Sequence, residues 1–139
     1  MGDSTSSLKL LNYITDFVQF RNNPDFESDE VTVQFDVQPE FYINDEKGIM
    51  TVELQVEIFK DAIRNNYPFE MIVSVVGIFE MKSNDKEKNI HRFKTNAVAI
   101  MYPYIRALVS TYTANANVPP LILPVMNINK MIEESEKNK

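Results

Sequence analysis

Between Val31 and Ile43 apolar side chains take alternate positions: Val31, Val33, Phe35, Val37, Pro39, Phe41 and Ile43, with polar residues from Thr32 to Glu40 between them. A two-residue period marks a β-strand with one wet face. Pro39 has no N–H to give to a ladder, so this strand belongs at a sheet edge or carries a bulge there. Asn44–Gly48 has the composition of a hairpin turn. Ile49–Lys60 alternates again, with Val52, Leu54, Val56 and Ile58 against Thr51, Glu53, Gln55 and Glu57. Tyr67–Met81 differs. Phe69, Met71, Val73, Val75, Phe79 and Met81 share one face, while the other mixes Ile72, Val76 and Ile78 with Glu70, Ser74 and Glu80. A strand apolar on both faces needs cover on both. One helix layer supplies one cover and a second copy of the chain the other, through Met71, Val73 and Val75.

Lys9–Phe20 fits two templates. Leu10, Leu11, Ile14, Phe17 and Val18 suit a helix, whereas Tyr13, Thr15, Phe17 and Gln19 would line one side of a strand. Lys82–Lys88, KSNDKEK, reads as a charged surface turn. From about Thr95 the period lengthens: Ala97, Ile100, Met101, Tyr104, Ile105, Leu108 and Tyr112 form one helical stripe. Pro103 lies inside it and should bend the helix or restart it. Asn127–Lys137 is a second, short helix, and the tail EESEKNK should fray. Strands followed by helices predict an α+β fold. The expected division is a flexible N-terminus over 1–7, one domain over 8–134 and a polar tail over 135–139.

Composition narrows the function. A chain of 139 residues is most simply one domain, burying roughly 70% of its unfolded surface. The formal net charge of −6 argues against a nucleic-acid binder, which shows a basic stripe. With no cysteine, disulfides and thiolate metal sites are excluded. MGDSTS formally fits the N-myristoylation pattern through Gly2 and Ser6, but the match is short. No stretch approaches the ~20 apolar residues of a membrane span, and the N-terminus lacks the form of a signal peptide. A cytoplasmic protein without membrane insertion is expected.

Catalytic chemistry has little to work with. His91 is the single histidine, so neither a Cys-His pair nor a histidine zinc cluster can form. Three glycines leave no phosphate-cradling loop or nucleophile elbow. Glu53, Glu57, Glu70 and Glu80 could pair as acid and base, yet the wet face of a sheet gives the same pattern. No enzyme, metal or cofactor is expected.

That turns attention to Asn117–Ile128, NVPPLILPVMNI, an uncharged apolar run stiffened by Pro119, Pro120 and Pro124. Proline fixes the backbone, so such a segment can hold its side chains open as the wall of an apolar groove; plain core packing is the competing account of Leu121 and Leu123. Methionines such as Met71, Met81, Met101, Met126 and Met131 add adaptability. The candidate client-binding groove is Phe41, Met101, Tyr104, Val118, Pro119, Leu121, Leu123, Val125 and Met126.

These residues carry a resemblance. Met101-Tyr102-Pro103-Tyr104-Ile105-Arg106 is similar to the aromatic-Pro-Tyr-x-Arg element of the SecB protein-export chaperones. Val118–Ile128 resembles that family's Pro-Pro-Leu-x-Leu-x-Pro-Val-Asn-aromatic segment, and Val76-Gly77-Ile78-Phe79 its Gly-Ile-Phe strand end. The resemblance spans Leu8 to about Glu134. It implies a four-stranded antiparallel sheet with a long helix, a proline-rich crossover and a short C-terminal helix, and makes Lys9–Phe20 the first strand. It further implies a homo-tetramer, a dimer of dimers, that holds unfolded preproteins in apolar grooves and passes them to the SecA motor. Val76 stands where the family commonly has a further Gly, and Ala114-Asn115-Ala116-Asn117 where it has a Gly-rich turn. Glu70 matches a motor-facing acid, but Ile72 replaces a carboxylate. The expectation is a holdase for export; the alternatives are a chaperone for one dedicated client, such as an antitoxin or a phage-encoded protein, and an interaction module that buries the proline-rich segment.

Overall fold

The computed structural model describes residues 6–137. The chain runs β1 (Ser7–Asn22), β2 (Phe35–Asn44), β3 (Ile49–Ile58), α1 (Ala62–Asn65), β4 (Phe69–Lys82), α2 (Lys86–Asn115) and α3 (Ile128–Lys137). The strands make one antiparallel sheet in the order β1-β4-β3-β2. The α+β expectation holds. Gly2 and the rest of 1–5 lie outside the described residues, as do 138–139.

Lys9–Phe20 is a strand. Two register shifts, between Leu10 and Asn12 and between Thr15 and Phe17, explain its mixed signal, because each bulge slips the period by one residue. β2 begins at Phe35 and not at Val31, for its partner runs out: Phe35 faces Ile58, and beyond it one bond remains, Phe59 N–H to the Gln34 carbonyl at 2.9 Å. Phe59 then turns with φ 54°, a costly value for a bulky side chain, while its buried ring meets Tyr67 and Phe69.

The expected surface turn Lys82–Lys88 is mostly regular structure. β4 continues through Lys82 and α2 starts at Lys86, because the Asp85 carboxylate accepts from Lys88 N at 3.1 Å and caps the helix. Pro103 neither ends nor restarts α2, which remains one helix from Lys86 to Asn115. The expected fraying of the tail is likewise corrected as far as Lys137: α3 includes Glu133–Lys137, and Glu136 meets Lys94 at 3.1 Å.

Both long helices lie on one face of the sheet. There Met50, Val52, Leu54, Val56 and Ile58 of β3 and Phe69, Met71, Val73, Val75, Phe79 and Met81 of β4 meet Phe93, Ala97, Val98, Met101, Ile105 and Val109 of α2. At 25 cal/mol per Å² or so, this burial dominates the favourable side of folding. Met71, Val73 and Val75 are therefore core within one chain, and their assignment to an oligomer interface is corrected. The face of β4 that stays uncovered within one chain is the one bearing Ile72, Val76 and Ile78, all half-buried.

Candidate functional site

α2 organises the site through its two flanks. On one, Tyr102, Arg106 and Ser110 recur at helical spacing and bind the backbone of the crossover segment between α2 and α3. Tyr102 Oη donates to the Pro124 carbonyl at 2.7 Å, Arg106 Nε to Leu123 at 2.9 Å and Ser110 Oγ to Leu121 at 2.8 Å. Leu121 N in turn donates to Thr113 Oγ1 at 2.9 Å. An irregular segment has no ladder to satisfy its polar groups, so side chains do it instead. Asn127 then caps α3, its Oδ1 accepting from Lys130 N at 3.0 Å.

This lacing fixes which crossover side chains face in. Leu123 is wholly buried; Ile122 and Val125 are 72% and 82% exposed. Leu121, Val118 and Met126 are half-buried against the core, and Pro119 is exposed. The groove expectation is thus corrected in part. Leu123 and Met101 are core, because α2 and the crossover close over them. Tyr104 lies on the opposite flank of α2, its ring 4.7 Å from that of Tyr13 on β1. Phe41 is half-buried on the helix side of β2, with Lys94 Nζ 5.2 Å from its ring centre. Ile122 was absent from the expected set, although its place beside Leu121 and Leu123 in an alternating run was the signal that could have found it.

A cleft of 390 Å³ runs between β2 and α3, lined by Phe35, Val37, Pro39, Met126 and Met131 together with Asp36, Glu40 and Glu134. Since the Gln34 carbonyl points to β3, the even-numbered residues of β2 direct their backbone inward and the odd-numbered ones direct theirs to the free edge. Pro39 falls on an edge-facing position, so it removes a donor from the edge and not from the β2–β3 ladder. The edge placement expected from Pro39 holds, without a bulge.

Burial raises the Tyr102 pKa above the ordinary 10.0, with Arg106 opposing. Tyr13 is raised as well, first by burial and slightly by Tyr104, against a hydrogen bond with Thr15. Glu70 sits on the far face of the sheet, and its Oε2 accepts from Ala62 N at 3.2 Å. Among the described residues no cluster of three or more His, Cys, Asp or Glu could hold a metal ion, and no helix is long and apolar enough to cross a membrane.

A four-stranded sheet with two helices on one face and a proline-rich crossover laced to the longer helix defines a SecB-like fold. The solved Mycobacterium tuberculosis SecB-like chaperone, in complex with a ChAD peptide from the HigA1 antitoxin, is similar at TM-score 0.65 and 16% identity, over 90% of this chain and 93% of that one. A Streptococcus agalactiae protein of unknown function is similar at TM-score 0.52 and 11% identity, over 86% of this chain and 98% of that one. The profile of the preprotein translocase subunit SecB matches residues 12–139, and the chain belongs to that family. An uncharacterized protein of Methanocaldococcus jannaschii is 36% identical, over 96% of this chain and 87% of its own length. The protein-export protein SecB of Neorickettsia sennetsu is 25% identical, over 78% of this chain and 70% of its own length.

Proposed function

We propose that this chain is a holdase that keeps unfolded polypeptides from aggregating, with the cleft between β2 and α3 and the exposed crossover as its client surface. One observation carries this reading: Ile122 and Val125 stand out in water while the backbone that bears them is laced to α2. A client side chain laid against them gains roughly 25 cal/mol per Å², and the segment pays little ordering entropy because it is already fixed. A client strand could also use the free backbone edge of β2. Asp36, Glu40 and Glu134 favour basic residues at the rim, an effect that salt weakens. Holding the unfolded form lowers its free population by mass action.

The test is suppression of aggregation of a chemically denatured enzyme by the purified protein in the cytoplasm-like buffer in which it folds. Wild type should suppress it, and the double variant Ile122→Ser/Val125→Ser should not. Equal suppression by both would move the client surface elsewhere; no suppression by either would leave an interaction module.

Within this reading, service to one dedicated client is favoured over general export. The M. tuberculosis relative is solved with an antitoxin peptide, and here Ile72 stands beside Glu70 where a second carboxylate would suit an acidic, motor-facing surface. Absence of SecA binding, measured by titration calorimetry, would support the dedicated role. Tight binding would restore export.

A further inference from the structure

The described methionines fall into two groups. Met50, Met71, Met81 and Met101 are sealed in the core, at 0%, 1%, 2% and 0% exposed. Met126 and Met131 are half-buried, and both line the 390 Å³ cleft between β2 and α3, beside Phe35, Val37 and Pro39. Their backbones are pinned. Met126 lies between Pro124, whose carbonyl accepts from Tyr102 Oη at 2.7 Å, and Asn127, whose side chain caps α3. Met131 N donates to the Asn127 carbonyl at 3.0 Å in the first turn of α3. A chain shift that withdrew either sulfur from the cleft would have to break these bonds. The polar groups around the two sulfurs are mostly acceptors. Asp36, Glu40 and Glu134 contribute carboxylates, and the Gln38 amide already donates to Asp36 Oδ2 at 2.8 Å.

We propose that Met126 and Met131 form an oxidation site through which a hydroperoxide, such as hydrogen peroxide, makes the cleft less apolar, so that client holding falls under oxidant and returns on reduction. The consequence for clients rests on the holdase reading; the chemistry does not. A thioether sulfur attacks one peroxide oxygen with a lone pair. The O–O bond breaks, the S–O bond of a sulfoxide forms, and the other oxygen leaves as water. The sulfur gives up two electrons and the peroxide takes them. Packing shields the core sulfurs from this attack, whereas the cleft opens to solvent. Oxidation replaces a flexible apolar side chain with a polar one. Among carboxylates the new oxygen finds no donor, so it turns to water, to the Ser135 hydroxyl or to the free-edge N–H groups of β2. Each choice removes apolar wall from a client. Methionine sulfoxide reductases, fed by thiols, reverse the step.

The full chain is treated with hydrogen peroxide at neutral pH and its peptides are weighed. Met126 and Met131 should each gain one oxygen well before Met50, Met71, Met81 and Met101, with an unchanged circular dichroism spectrum. The oxidised protein should bind less of an apolar fluorescent dye. The amount of it needed to halve aggregation of a denatured enzyme should rise about fivefold, as for a loss of roughly 40 Å² of apolar contact at ~25 cal/mol per Å². Reductase with dithiothreitol should restore both. Met126→Leu/Met131→Leu removes the sulfurs and nearly keeps the volume; whatever its own level of holding and dye binding, peroxide should leave that level unchanged. The dye separates the two readings. A protein that never suppresses aggregation, yet loses dye on oxidation, defeats the holdase reading and supports the site. Core methionines that oxidise as fast would overturn the proposal. So would dye binding or existing holding that oxidation of wild type leaves untouched, or an equal loss in the leucine variant.

Discussion

The two flanks of α2 hold their neighbours by different means. Toward the crossover, Tyr102, Arg106 and Ser110 donate to backbone carbonyls. Toward β1, the contacts are between rings: Tyr104 on Tyr13 at 4.7 Å, and Tyr112 on Phe20 at 5.5 Å, with Phe20 in turn on Phe69 at 5.0 Å. The difference follows from what each neighbour lacks. β1 has its backbone paired with β4 and needs only its side chains covered. The crossover belongs to no sheet, so its carbonyls require donors or water. A flank of donors can position a segment while leaving its apolar side chains outside; a flank of rings positions by ring-on-ring contact, here with Tyr104 and Tyr112 still exposed.

The strongest way to break this contrast is at the one crossover side chain that does go inside. Leu123→Ala should cost about 2–5 kcal/mol in urea unfolding, because the side chain is fully buried; a loss below about 1 kcal/mol would mean the crossover is not part of the core. Arg106→Met should cost about 1.5–3 kcal/mol, since a charged donor is removed from a carbonyl. It should also speed amide exchange in the crossover, while β1 keeps its protection. Tyr102→Phe should cost about 0.5–1.5 kcal/mol by the same route.

Titration tests the same hydroxyl. The folded pKa of Tyr102 and of Tyr13 lies above 10.0, so the folded state holds each phenolic proton more tightly than the unfolded chain does. Their contribution is fully present below pH 10 or so and is lost as pH rises through the raised values. Stability should be flat in these groups from pH 7 to 9 or so and fall above about 10, and Tyr102→Phe should shrink the fall. At the bottom of the scale, Ile122→Ser/Val125→Ser should leave unfolding within about 0.5 kcal/mol of wild type, while the aggregation suppression proposed for the chain should drop.

Period-two patterning made β3 and most of β2 legible, since each has one dry face. It failed on β1 because the register shifts after Leu10 and after Thr15 interrupt the alternation, an event that depends on β4 and not on local preference. The start of α2 was hidden by its polar first turns, KEKNIHR, with Asp85 as the missed capping signal. The crossover was visible as an anomaly through its prolines, but which of its side chains face water was not. That is set by Tyr102, Arg106 and Ser110, whose reach across to carbonyls no hydropathy pattern encodes. Tyr104 was drawn into the same groove because a helical stripe gives membership of a face without saying which neighbour that face meets.

Gly77 carries a consequence for how this sequence can drift. A Cβ there would come within 2.9 Å of both Met101 Sδ and Phe79 Cε1. Two short signatures that look separate along the chain, Val76-Gly77-Ile78-Phe79 and the one opening at Met101, are therefore a single steric bargain. A lineage that admits alanine at 77 must move the flexible end of Met101 and re-angle Phe79, or change the side chain at 101. The residues at 77, 79 and 101 should therefore be coupled among relatives.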